Sequence, residues 1–98
     1  MLLDFPTDVD LAAKNISPFI RKTYFSYSTV FSSLLSTDVR FKMENLQVTG
    51  SFKARGAVNK LLSLTKNERQ KGVVSASTGN HGAAVAYAAQ KLNVKCLI

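Results

Sequence analysis

From Val39 onward the sequence alternates between strand-length and helix-length apolar patterns, and this alternation predicts an α/β fold with a parallel sheet. Val39-Arg40-Phe41-Lys42-Met43-Glu44 has period two, putting Val39, Phe41 and Met43 on one face of a strand. A turn at Gln47-Val48-Thr49-Gly50 leads into a helix from about Ser51 to Leu64, with Ala54, Ala57, Val58, Leu61 and Leu62 as its apolar stripe. Thr65-Lys66-Asn67-Glu68 has the spacing of a capping box, so a short second helix follows and ends at Gly72. Val73-Val74-Ser75-Ala76 reads as a buried strand. The next helix begins near Asn80 and buries Val85, Ala88, Ala89 and Leu92, and Val94-Lys95-Cys96-Leu97-Ile98 reads as another strand. A parallel sheet needs cover on both faces, which two or three strands cannot supply. With the chain stopping inside a strand, residues 1–98 are expected to be the N-terminal portion of a larger catalytic domain whose remainder is absent.

Upstream the pattern is weaker. Thr7-Asp8-Val9-Asp10 resembles a helix start, a hydroxyl cap followed by acids where the helix dipole favours them. That helix is expected to reach Lys14 or Asn15 and to stop before Pro18. Tyr24 to Ser36 mixes Ser and Thr with aromatics and is the least readable stretch, with a short helix through Val30 to Leu35.

Composition excludes several classes. No apolar run approaches the roughly 18 residues of a membrane span. Met1-Leu2-Leu3-Asp4 has the wrong flank and length for a secretory signal. The single Cys96 forms no internal disulfide, which fits a reducing, cytoplasmic setting, and one Cys with one His leaves no zinc site of the usual ligands. The net charge of +7 is spread over the chain without a basic stripe, so it reads as a solvated surface rather than a nucleic-acid footprint.

Two loops remain, each at a predicted helix N-terminus. In Thr49-Gly50-Ser51-Phe52-Lys53-Ala54-Arg55-Gly56-Ala57, Lys53 falls in the first helical turn. The positive end of the dipole disfavours an ammonium there, which suits an amine nucleophile. Gly56 and Ala57 leave space beside Lys53 for a flat ring, and Phe52 supplies an apolar wall; the plainer alternative is a solvated surface lysine. In Ser75-Ala76-Ser77-Thr78-Gly79-Asn80-His81-Gly82, unpaired backbone N–H groups at a helix start make an anion site, with Ser77, Thr78 and Asn80 as side-chain donors. This run is neither a Walker loop nor a dinucleotide fingerprint. Here the alternative is a capped helix start with Asn80 closing the turn, or a basic module that binds nucleotides through it. A His81–Ser77 hydrolase pair lacks an orienting acid.

The run Lys42 to Ala57, with Thr-Gly-Ser-Phe-Lys-Ala-Arg-Gly at its centre, resembles the cofactor-lysine segment of fold-type II pyridoxal-phosphate (PLP) enzymes. Ser77-Thr78-Gly79-Asn80-His81-Gly82 resembles their asparagine loop. His81 after Asn80 is similar to the threonine/serine dehydratase (ammonia-lyase) and serine racemase branch. The resemblance implies that Lys53 carries pyridoxal 5′-phosphate covalently and moves the substrate's α-proton. It implies that Phe52 packs on the pyridine ring, that Asn80 bonds the ring's 3′-oxygen, and that Ser77, Thr78, Asn80 and His81 hold the substrate carboxylate. It further implies deamination of a hydroxy amino acid such as L-threonine or L-serine to a 2-oxo acid and ammonia, with racemisation or an inactive interfering chain as the alternatives. Racemases of this branch resemble the sequence with Ser at the position of Thr78. The complete enzyme is expected to be a homodimer acting on a small amino acid. Relatives grip the cofactor phosphate in a downstream glycine-rich loop. The glycines here stand at 50, 56, 72, 79 and 82 without such a cluster, so turnover by the 98-residue chain alone is not implied.

Overall fold

Pro6 decides where the first helix starts. A proline is tolerated in the first turn, where its missing N–H has no helical acceptor anyway, and α1 accordingly spans Phe5–Ile16 with Asp4 as its N-cap. The expected cap, Thr7, lies inside the helix, two residues past its true start. The structure, a computed structural model, describes residues 4–98; Met1–Leu3, part of the start read above as no secretory signal, lie outside the described residues.

The stretch that was least readable contains β1 (Phe25–Tyr27) and α2 (Thr29–Leu35). The Ser28 hydroxyl caps α2 by accepting from the Phe31 N–H at 3.3 Å. Strand β2 (Arg40–Lys42) is shorter than its alternating pattern and pairs antiparallel with β1, Ser26 opposite Phe41, in a ribbon of its own. The expectation that it belongs to the parallel sheet is therefore corrected. The link between the strands folds back on itself: Ser28 N–H donates to the Val39 carbonyl, and the buried Ser32 hydroxyl accepts from Val39 N–H at 2.9 Å. The link's only helix, α2, is seven residues long, and the ties to Val39 fold the link back beside β1 rather than across a sheet, so the chain returns antiparallel.

Beyond a 3₁₀ turn at Glu44–Leu46 come α3 (Lys53–Ser63), α4 (Lys66–Lys71), β3 (Val73–Val74), α5 (Asn80–Lys91) and β4 (Cys96–Leu97). The capping box forms as expected: Thr65 Oγ1 accepts from Glu68 N–H, and Glu68 accepts from Thr65 N–H at 2.7 Å. Ala57, Val58 and Leu61 of α3 pack on Ala84, Val85, Ala88 and Ala89 of α5, with Ile16 and Val94 closing the ends. Alanines at this seam let the two helix backbones approach closely, and Val58, fully buried, is its largest sealed side chain. Leu62 and Leu92, placed on the buried stripes by pattern, are half-buried.

Strands β3 and β4 run parallel, Val73 opposite Cys96, because the twelve-residue α5 between them is long enough to carry the chain back across the sheet. The reading of Val73–Ala76 as a buried strand fails on one face: the strand is two residues long and Val74 is 78% exposed. Helices α3 and α5 cover one side, and none of the described residues forms a layer on the other. Leu97, opposite Val74 in the register, is exposed for the same reason.

Candidate functional site

Lys53 is the first residue of α3, at the foot of a loop whose shape is set by Gln47. That buried side chain accepts from the N–H groups of Arg21 (2.8 Å) and Val48 (3.0 Å) and donates to the Arg21 carbonyl (2.9 Å). The chain then turns through Gly50, whose φ of 73° lies where side chains are rarely tolerated, and the Gly50 N–H closes the turn on the Gln47 carbonyl. The Ser51 hydroxyl accepts from Lys53 N–H at 3.4 Å. The Lys53 ammonium lies 5.0 Å from the centre of the exposed Phe52 ring, and none of the ion pairs among the described residues involves it.

The second loop leaves β3 and enters α5. Its organiser is Ser77, whose hydroxyl accepts from the N–H groups of Gly82 (3.1 Å) and Gly79 (3.4 Å). The N-cap of α5 is Gly79, with no side-chain cap, so Asn80 does not close the turn as the plainer alternative supposed. Its side chain is exposed and stands at the first helical position. The N–H groups of Asn80 and His81, in the first turn, have no intrahelical acceptor and point along the positive end of the helix dipole. Gly82 is buried against the loop: a Cβ there would lie 2.4 Å from the Ser77 carbonyl oxygen.

Because α3 packs on α5, the two loops meet. Phe52, Lys53, Gly56, Ala57 and His81 line a cleft of about 280 Å³. A second, mostly apolar cleft of about 250 Å³ shares Gly56, Ala57 and His81 and continues past Lys60 to Val73 and Val85. Phe52, Lys53 and His81 are thus brought together. Ser77, Thr78 and Asn80 do not line the first cleft but occupy the loop that delivers His81 to it. Among the described residues no group of three or more His, Cys, Asp or Glu is placed to hold a metal ion.

One feature of the site escaped the sequence reading. Arg55, in the first turn of α3, forks onto Glu44 through two bonds of 2.8 Å, and the Thr23 hydroxyl adds a third to the same carboxylate at 2.6 Å. Both residues lie inside the quoted motif, yet nothing local marks a pair eleven residues apart in sequence. Hydrogen bonding from Arg55, helped by Thr23 and opposed by burial, lowers the Glu44 pKa from 4.5 to about 2. A depressed carboxylate contributes stability that is complete above the unfolded value and is lost as pH falls through the folded one. The chain should therefore lose on the order of 2 kcal/mol between about pH 4.5 and pH 2, screening by solvent included. Thermal unfolding followed by circular dichroism across that window should show the slope in the native chain and a flatter one in Glu44→Gln; equal slopes would contradict it. Glu68, held by the Thr65 N–H, is lowered in the same direction.

Comparison with known proteins gives concordant matches. Residues 16–98 match the family described as pyridoxal-phosphate dependent enzyme. The chain is 44% identical over 91 residues to an L-threonine ammonia-lyase of Thermotoga maritima, covering 93% of this chain and 23% of that protein. It is 45% identical over 91 residues to a serine racemase of Dictyostelium discoideum, covering 93% of this chain and 28% of the relative. The crystal structure of serine racemase from Dictyostelium discoideum superposes with a TM-score of 0.87 at 46% identity, over 92% of this chain and 29% of that one. The chain thus spans about a quarter of the length of the curated relatives it matches.

Proposed function

The chain belongs to the pyridoxal-phosphate dependent enzymes, and from that premise we propose that the complete protein deaminates a hydroxy amino acid, L-threonine or L-serine, to a 2-oxo acid and ammonia. The observation that carries this reading is the cleft in which Lys53, in no ion pair among the described residues, comes together with Phe52, Gly56 and His81 of the first turn of α5. The cleft fits the cofactor's ring. It is walled by Phe52, and open space surrounds the bare Cα of Gly56. At about 280 Å³ it is at the small end for a ligand pocket, suited to the ring rather than to ring, phosphate and substrate together. Lys53 and Phe52, which line the cleft, would hold the ring, and Asn80, in the adjoining loop, would have to reach it from outside the present lining.

When bound, the cofactor supplies an electron sink for charge developing at the substrate's α-carbon. The residues of this chain then divide the remaining work. Lys53, at the first position of α3, takes and returns the α-proton. Phe52 would offer an apolar face against one side of the ring, and the Asn80 amide would donate to the ring's oxygen. The N–H groups at the start of α5, with Thr78, Asn80 and His81, hold the substrate carboxylate against the positive end of the helix. Ser77 acts mainly inward, holding the loop to Gly82, while its own O–H stays available to a carboxylate oxygen. The same reading makes the complete enzyme a cytoplasmic homodimer acting on a free amino acid and not on nucleic acid. A lone cysteine and dispersed basic residues agree with it.

Racemisation is the second reading, favoured by the serine racemase relative and by the exposed Thr78 hydroxyl at the loop. It needs a proton donor on the ring face opposite Lys53. β-Branching restricts the Thr78 rotamers and makes it a poor one, so elimination should dominate. Incubating the full-length protein with L-serine and L-threonine, and following 2-oxo acid and D-amino acid separately, decides between them. The expected result is 2-oxo acid as the main product. D-serine formed faster than pyruvate, and abolished selectively in Thr78→Ala, would replace deamination by racemisation.

A further inference from the structure

The side chains around the cleft do little to orient one another. Phe52 is 60% exposed, Lys53 is exposed, and a Cβ on Gly56 would meet nothing within 4 Å. Among the described residues the local contacts of Lys53 are the long bond from its N–H to the Ser51 hydroxyl, 3.4 Å, and the 5.0 Å cation–π contact with the exposed Phe52 ring, and neither fixes a direction for the amine. Whatever aims the amine therefore acts through the backbone of the first turn of α3. We infer that Glu44 and Arg55 form a positioning pair that aims Lys53 into the cleft, a role that rests on the reading of Lys53 as the cofactor-carrying lysine.

The geometry supports this in three ways. Arg55 stands two residues after Lys53 in the same helical turn, so restraint on one is restraint on the other. The fork onto Glu44, two bonds of 2.8 Å, fixes the plane of the guanidinium as well as its distance. Glu44 is itself anchored by Thr23 at 2.6 Å, while Gln47 ties the same loop to Arg21. The pair thus closes the base of the Gln47–Phe52 loop and joins it to the segment before β1. A lysine at position 55 keeps the charge but loses the plane, and Gln at 44 keeps the shape but loses the charge.

Labelling selectivity tests the inference independently of turnover. Lys60, farther along α3 on the neighbouring cleft, is an internal reference whose environment does not involve the pair. The full-length protein is treated with limiting pyridoxal 5′-phosphate, reduced with borohydride, and the Lys53 to Lys60 labelling ratio is read from the modified peptides. Thermal midpoints are recorded alongside. Arg55→Lys and Glu44→Gln should each lower the ratio about tenfold or more at temperatures where they remain folded, as sub-ångström misplacement of a reacting group does. Thr23→Val, which removes only the third bond to Glu44, should lower it by a smaller factor with the fold intact, and keeps the test valid if the other two variants fail to fold. Ratios unchanged in every variant that folds would overturn the positioning role and leave a purely structural ion pair. If the native protein instead carries its label on a lysine other than Lys53, the functional reading itself fails.

Discussion

Replacing Lys53 with alanine should abolish borohydride-trappable attachment of pyridoxal 5′-phosphate to the full-length protein and leave its fold in place. Lys53 is exposed at the first position of α3, and among the described residues its side chain makes the cation–π contact of 5.0 Å with Phe52, worth about 0.5–1 kcal/mol at an exposed site. Alanine is the better helix former, which offsets part of that loss. The unfolding midpoint should consequently stay within a few degrees of the native value. Activity is another matter: the same nitrogen both carries the cofactor and moves the α-proton, and the proton-transfer role alone is worth roughly 10²–10⁴-fold in rate. Peptide mapping after reduction, with a thermal scan of the same sample, checks both halves. Persistent label on Lys42 or Lys60 with normal turnover in Lys53→Ala would remove the basis of the functional assignment.

Gly56, which lines both clefts, and Gly82, in the first turn of α5, should respond to alanine with opposite changes in stability. A Cβ at Gly82 would lie 2.4 Å from the Ser77 carbonyl oxygen and 3.1 Å from Ile98 Cγ2. The nearer clash is with backbone and cannot be relieved by a rotamer change, so Gly82→Ala should cost at least about 1–3 kcal/mol, the usual range for overpacking. The strain falls on the segment that Ser77 holds through the Gly82 N–H, so the Asn80 loop moves away from α3 and cofactor affinity falls with stability. At Gly56 a Cβ meets nothing within 4 Å, and the residue is inside α3. Gly56→Ala should therefore raise stability by about 0.5–1 kcal/mol through helix propensity while its methyl enters both clefts and weakens ring binding. Denaturant titration beside absorbance-monitored cofactor binding separates the two behaviours. Equal stability in Gly82→Ala and the native chain would show that the loop is free to shift, contrary to the packing described.

The features that proved legible without coordinates are those governed by contacts a few residues apart. The Thr65–Glu68 capping box, the stop at Gly72, the apolar stripes of α3 and α5, and the placing of Lys53 and Asn80 at helix starts all follow from interactions three to five positions along the chain. The parallel pairing of β3 with β4 follows from the length of the helix between them, twelve residues against the seven of α2. Tertiary structure alone decided the rest. Alternation makes Val39–Glu44 a strand but says nothing about its partner, and the antiparallel pairing with β1 came from Ser28 and Ser32 folding the intervening link onto Val39. The apolar run at Val73 looks buried on both faces in sequence, yet Val74 is exposed because cover for its face must come from residues distant in the chain. Glu44, Arg55 and Thr23 meet only after three segments have been brought together, and a fork of that kind depends on distance and plane, which spacing along the chain does not encode.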